Sequence, residues 1–114
     1  SKFEHNMKNT NQDQFNVLRV IKKKPDSNQR ELAKELGFSL GKLNYCLNAL
    51  VKKGFVKINN FKNNPNKIGY IYVLTPMGIK EKGKLTIDFM NRMMKEYDQL
   101  KSEIEKDNVD DNKI

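Results

Sequence analysis

The chain has 114 residues, 37% of them hydrophobic and 32% charged, with 22 Lys and Arg against 14 Asp and Glu. That is enough for one domain with a modest core, and with no apolar run of about 18 residues a membrane-spanning helix is excluded. One cysteine, Cys46, and one histidine, His5, leave no disulfide framework and no multi-ligand zinc site within the chain. The net charge of +8 is uneven, because residues 95–114 carry −3 and residues 1–94 carry +11. A basic body with an acidic tail favours a polyanionic partner. A genome biased toward Lys and Asn codons gives the same composition, so charge alone leaves both readings open.

Residues 1–12 are polar and lack the apolar stretch of a signal peptide. They read as a disordered leader. The first periodic segment is Gln14–Lys24, where Phe15, Leu18 and Ile21 (with Val20) share a helical face, Asp13 is placed as N-cap and Pro25 ends the run. A second helix is expected over Gln29–Leu36. Asn28 caps it with Glu31 three residues on, Leu32, Ala33 and Leu36 face inward, and Gly37 closes it. A third helix starts after Ser39 as N-cap and ends at Gly54. Only Gly37-Phe38-Ser39 separates the two helices, so they must cross, which is the helix-turn-helix layout.

Phe55–Ile58 and Tyr70–Leu74 read as two strands. Asn59 to Gly69 joins them as a hairpin loop too long for a two-residue turn. Thr75 then caps a helix with Pro76 at its first position. Its pattern runs to about Lys106, with Gly78 and Gly83 weakening its start and allowing a break near Gly83. An acidic tail over 107–114 reads as disordered. The fold class is mainly α with a small β-hairpin: a winged helix-turn-helix domain over 13–78 followed by a long C-terminal helix over 79–106.

On a wheel of about 100° per residue, Leu40, Leu43, Leu47 and Leu50 form one stripe of the third helix, with Cys46 and Val51 on its flanks. Gly41, Lys42, Tyr45, Asn48 and Lys52 lie opposite, and Asn44 sits at the boundary. Such a division suits a helix in the major groove. Lys reaches guanine acceptors or phosphate, Asn pairs bidentately with adenine, and Tyr reaches a phosphate or a thymine methyl. Gly41, Lys42, Asn44, Tyr45 and Asn48 are therefore the candidate base contacts. An ordinary solvated face has the same composition residue by residue; the face as a whole, after so tight a turn, is more specific. Asn28, Gln29 and Arg30 open the second helix, where free backbone N–H groups favour a phosphate. Together with Ser39 and Lys52 they are the candidate backbone contacts. Lys62, Asn63, Asn64, Asn66 and Lys67, with no acid among them, suit a wing on the phosphate backbone or in the minor groove.

The stretch Gln29-Arg30-Glu31-Leu32-Ala33-Lys34-Glu35-Leu36-Gly37-Phe38-Ser39 resembles the helix-turn-helix of MarR-type regulators. Lys53-Gly54-Phe55-Val56 resembles their junction into the wing, and Tyr72-Val73-Leu74-Thr75-Pro76-Met77-Gly78-Ile79 their exit from it. Length and a helical tail from Lys80 look closest to the small exopolysaccharide-associated members. The resemblance covers about residues 13–106. It implies a dimeric transcription regulator binding double-stranded DNA in the bacterial cytoplasm, at the nucleoid. The long N-terminal dimerisation helix of full-size members is not expected here, and no small-molecule effector is evident.

Leu85, Phe89, Met93, Tyr97, Leu100 and Ile104 recur at steps of three and four, an apolar seam close to a coiled-coil pattern that Met90 and Met94 widen. A second copy of the chain is the economical partner for it. Folding back on its own domain is the competing arrangement. The methionines read as packing rather than as a soft-metal site, and Cys46 as a buried, inert thiol. No Gly-rich phosphate loop and no nucleophile paired with a base is present, so neither an enzyme nor a cofactor is expected. A winged helix serving only as a protein-interaction module is the alternative to DNA binding, and the basic face argues against it.

Overall fold

The computed structural model describes the backbone over residues 2–60 and 70–112, and side chains over 11–59 and 70–109. Its elements in chain order are α1 (Lys2–Lys23), α2 (Gln29–Leu36), α3 (Leu40–Lys52), β1 (Val56–Asn60), β2 (Tyr70–Leu74) and α4 (Pro76–Asn112). The order helix, helix, tight turn, helix, two-stranded hairpin, long helix is that of a winged helix followed by a C-terminal helix.

Two helices extend beyond the sequence expectation. α1 begins at Lys2 rather than Gln14. No proline or glycine interrupts it before Pro25, so nothing forces a start at Asp13, which lies inside the helix instead of capping it. α4 passes Gly83 without a break, since one glycine inside a helix costs only about 1 kcal/mol, and continues to Asn112, beyond the expected end near Lys106. Among the described residues no helix is long and apolar enough to cross a membrane.

The chain divides into two units, Ser1–Gly83 and Lys84–Ile114. In the first, α1, α2 and α3 pack on one another and on the hairpin. Phe15, Val17, Leu18 and Ile21 of α1, Leu32 and Ala33 of α2, and Leu43, Cys46, Leu47 and Leu50 of α3 are buried together with Val56, Ile71, Tyr72 and Leu74 of the strands. Each fully buried Leu contributes about 1.5–3 kcal/mol by leaving water, so these side chains hold the three helices in one arrangement. Leu36, expected inside, is only partly covered, as is Val51 on the flank of the α3 stripe.

The turn between α2 and α3 depends on Gly37, whose φ of +69° is the left-handed region that glycine enters without a Cβ penalty. There the Gly37 N–H donates to the Lys34 carbonyl (3.3 Å) and the Phe38 N–H to the Ala33 carbonyl (3.0 Å), closing the end of α2. Asn28 caps the start of α2, its side-chain oxygen accepting from the Glu31 N–H at 2.8 Å, and it also bridges to Ile71 of β2. The beginning of α2 is thereby tied to the hairpin.

β1 and β2 are antiparallel, with Val56 opposite Leu74, Ile58 opposite Tyr72 and Asn60 opposite Tyr70. β1 starts one residue later than expected and runs on through Asn59 and Asn60, because Ile71 and Tyr70 offer them partners. At the exit, Thr75 Oγ1 accepts from the Gly78 N–H at 3.0 Å and the Thr75 N–H donates to the Phe55 carbonyl at 3.0 Å. The cap therefore also fastens α4 to the junction between α3 and β1. Gly78 is the close approach in this joint, since a Cβ there would stand 1.9 Å from the Phe55 carbonyl oxygen. Its sequence reading as a helix-weakening residue is corrected: it is the residue that allows α4 to meet the backbone at Phe55.

Gly78→Ala is expected to destabilise the fold by about 2 kcal/mol or more, as a methyl is forced against backbone. Gly83→Ala, where nothing lies within 4 Å of an added Cβ, should be neutral or stabilising by up to about 1 kcal/mol. Urea unfolding of both variants measures the contrast.

Candidate nucleic-acid interface

The rotation of α3 about its axis is set by Leu43, Cys46, Leu47 and Leu50, all buried. Its start is fixed by Ser39, whose hydroxyl accepts from the Lys42 N–H at 3.1 Å. The Gln29 side-chain amide adds a tie from α2, donating to the Leu40 carbonyl at 3.4 Å. With the leucine face committed inward, Gly41, Asn44, Tyr45, Asn48 and Lys52 are all exposed. Tyr45 has 67% of its surface accessible. No heavy atom lies within 4 Å of where a Gly41 Cβ would sit, so a base edge or phosphate can approach the α3 backbone there. One helix thus carries a sealed apolar side and an open side of amides, a phenol and a lysine, the functional groups that read major-groove edges.

Two expected positions come out differently. Lys42 belongs to the flank facing α1: its Nζ is 3.4 Å from Asp13 Oδ2 and 4.3 Å from the centre of the Phe38 ring. Its side chain remains 48% exposed, and so open an ion pair holds it weakly. Leu40, expected in the inward stripe, is 51% exposed. It is the first residue of the helix, where helical phase alone misassigns it.

Of the candidate backbone contacts, Asn28 has its side-chain oxygen engaged as a cap and Gln29 reaches α3. Arg30, Ser39 and Lys52 are exposed. Lys62, Asn63, Asn64, Asn66 and Lys67 lie outside the described residues. The strands that lead to them are described, and Lys57 and Tyr70 on those strands are exposed. The sequence reading passed over both, because a lysine and a tyrosine in short strands carry no signal of their own until pairing shows which side is open. Lys53, itself exposed, donates to Gln14 Oε1 at 3.0 Å. Lys24 pairs with Glu35 at 2.8 Å, and this hydrogen bond and charge hold the Glu35 carboxyl below its ordinary pKa. Among the described residues no group of three or more His, Cys, Asp and Glu is placed to hold a metal ion.

In the second unit, Met93, Tyr97, Leu100 and Ile104 are exposed along α4, as are Met90 and Met94. Leu85 and Phe89 are partly covered, and the Arg92 guanidinium lies 5.9 Å from the Phe89 ring centre.

Residues 14–57 match the family model for winged helix-turn-helix DNA-binding domains. No curated protein matches the chain. Among solved structures, the fold is similar to that of FabT of Streptococcus pneumoniae in complex with DNA (TM-score 0.58, 25% identity, 74% of this chain and 57% of that one). It is also similar to a MarR protein of Peptoclostridium difficile (TM-score 0.59, 27% identity, 71% and 51%). A third is the transcriptional repressor CouR bound to a 23-mer DNA duplex (TM-score 0.55, 26% identity, 61% and 48%). The chain spans about half the length of these proteins.

Burial raises the pKa of the Cys46 thiol above its ordinary value, the nearby Asp13 charge raises it further, and Lys42 offsets part of this. Since the thiolate is the reactive form, native protein at pH 8 should react with a disulfide reagent at least tenfold more slowly than protein unfolded in urea. Equal rates would show that the leucine face of α3 is open.

Proposed function

We propose that the protein is a transcription regulator that binds double-stranded DNA sequence-specifically as a homodimer, with α3 in the major groove and the hairpin wing on the backbone or in the minor groove. The observation that carries this reading is the division of α3: a buried face of Leu43, Cys46, Leu47 and Leu50 behind a tight turn, and an open face of Gly41, Asn44, Tyr45, Asn48 and Lys52. The basic charge of residues 1–94 supports it, as does the fold shared with proteins solved on DNA. Asn44, Tyr45 and Asn48 read base edges, Gly41 lets the backbone approach, and Lys42 leaves Asp13 to reach the duplex. Arg30, Ser39 and Lys52, with the starts of α2 and α3 at Asn28 and Gln29, meet phosphates. Lys62 and Lys67, flanked by Asn63, Asn64 and Asn66, give the wing its grip. Such a regulator acts in the bacterial cytoplasm, at the nucleoid. Within the MarR type, chain length and tail pattern favour the small exopolysaccharide-associated group.

The dimer reading rests on the second unit. A helix that exposes Met93, Tyr97, Leu100 and Ile104 at steps of three and four leaves an apolar seam in water, and a second copy of α4 covers it with Leu85 and Phe89 at one end. Substituting Leu100 and Ile104 by Asp is expected to convert a dimer to a monomer in sedimentation. The same variant should lose about tenfold or more in affinity for a two-half-site operator.

Selection of bound sequences from random duplex DNA tests the main claim. The expected product is a palindromic site with half-sites about one helical turn (~34 Å) apart, or a multiple of that. On such a site, Asn44→Ala and Asn48→Ala should relax base preference. Lys62→Ala combined with Lys67→Ala should weaken cognate and random DNA evenly and flatten the salt slope by about two. No enriched sequence, or identical behaviour of the two kinds of variant, contradicts the proposal.

A further inference from the structure

A single exposed leucine on a protein surface is ordinary. Leu40 differs in its setting. It is the first residue of α3 and has half of its surface in water. The core does not need it, because Leu43, Cys46, Leu47 and Leu50 supply the whole buried face of the helix. Its position is nevertheless fixed twice, by the Ser39 cap at the helix start and by the Gln29 amide on its carbonyl. Gly41 beside it adds no side chain to the surface and has open space where a Cβ would stand. Asn44, four residues on, lies on the same flank one turn away. An isobutyl group thus stands at the entry end of the helix, where helix-turn-helix proteins contact base edges, next to a side chain suited to adenine.

In the major groove only thymine presents an apolar group, its C5-methyl. Resting on the reading of α3 as the groove-entering helix, we propose that Leu40 is a specificity residue that packs on a thymine C5-methyl, adjacent to an A·T pair read by Asn44. Burial of that methyl against the leucine side chain favours thymine over cytosine, which offers an amino donor and no methyl at the same edge, without any hydrogen bond from Leu40.

The test uses the full chain and a duplex selected by it. Each thymine is replaced in turn, symmetrically in the two half-sites, by deoxyuridine, which removes the methyl and leaves base pairing intact. The wild-type protein is expected to lose affinity at one position, by about fourfold per half-site. Leu40→Ala should bind the thymine and uracil duplexes equally. A wild-type protein indifferent to every replacement, or a Leu40→Ala protein that keeps the wild-type thymine-to-uracil ratio, overturns the proposal. The wild-type series stands without any variant, so poor folding of Leu40→Ala does not remove the test. Selective binding without uracil sensitivity defeats this inference alone. Failure to select any duplex defeats it together with the DNA-binding reading beneath it.

Discussion

The inward packing of Leu43, Cys46, Leu47 and Leu50 fixes how α3 is turned, and the rest of the interface follows from that rotation. A helix of 13 residues has few independent choices of orientation once four of its side chains are sealed against α1 and α2. Because α-helical periodicity is rigid, burying those four exposes Gly41, Asn44, Tyr45, Asn48 and Lys52 together. The turn at Gly37 sets the crossing of α2 and α3. Asn28 couples the start of α2 to β2, and Thr75 and Gly78 couple α4 to the end of α3 through Phe55. The presentation of one helix face is thus held by joints on every side of it.

Charge is distributed in keeping with that geometry but less simply than composition suggests. Several lysines of the basic body have partners on the chain itself: Lys24 with Glu35, Lys53 with Gln14 and Lys42 with Asp13. The Lys42 arrangement couples α1 to α3 through a weak, half-exposed contact. A phosphate, which carries full charge and sits in a field of others, competes well with one surface carboxylate for such a side chain. Net charge in this chain therefore describes long-range attraction better than it counts contacts.

Most of the fold was legible because its punctuation is local. Asn28, Gly37, Ser39, Thr75 and Pro76 each announce a helix end through their own chemistry, and the strand Tyr70–Leu74 through β-branched and aromatic residues. The start of α1 carries no such mark, and no proline or glycine interrupts the chain from Lys2 to the end of the helix. The open face of α3 was legible from periodicity alone, except at its ends. Leu40 has the helical phase of a core residue but stays half exposed, and Lys42, placed by phase on the open face, stands within reach of Asp13. Gly78 was misread for the opposite reason: its role is a contact with a residue 23 positions earlier in the chain, which no local pattern contains.

An amide-resolved NMR titration with a selected duplex addresses the orientation of α3 most directly. Shifts and slowed exchange should concentrate at Leu40, Gly41, Asn44, Tyr45, Asn48 and Lys52, while Leu43, Cys46, Leu47 and Leu50 keep the environment of a closed core. Perturbation centred on other helices, with the Tyr45 and Asn48 signals unchanged at saturation, would contradict the picture of α3 as the element that enters the groove.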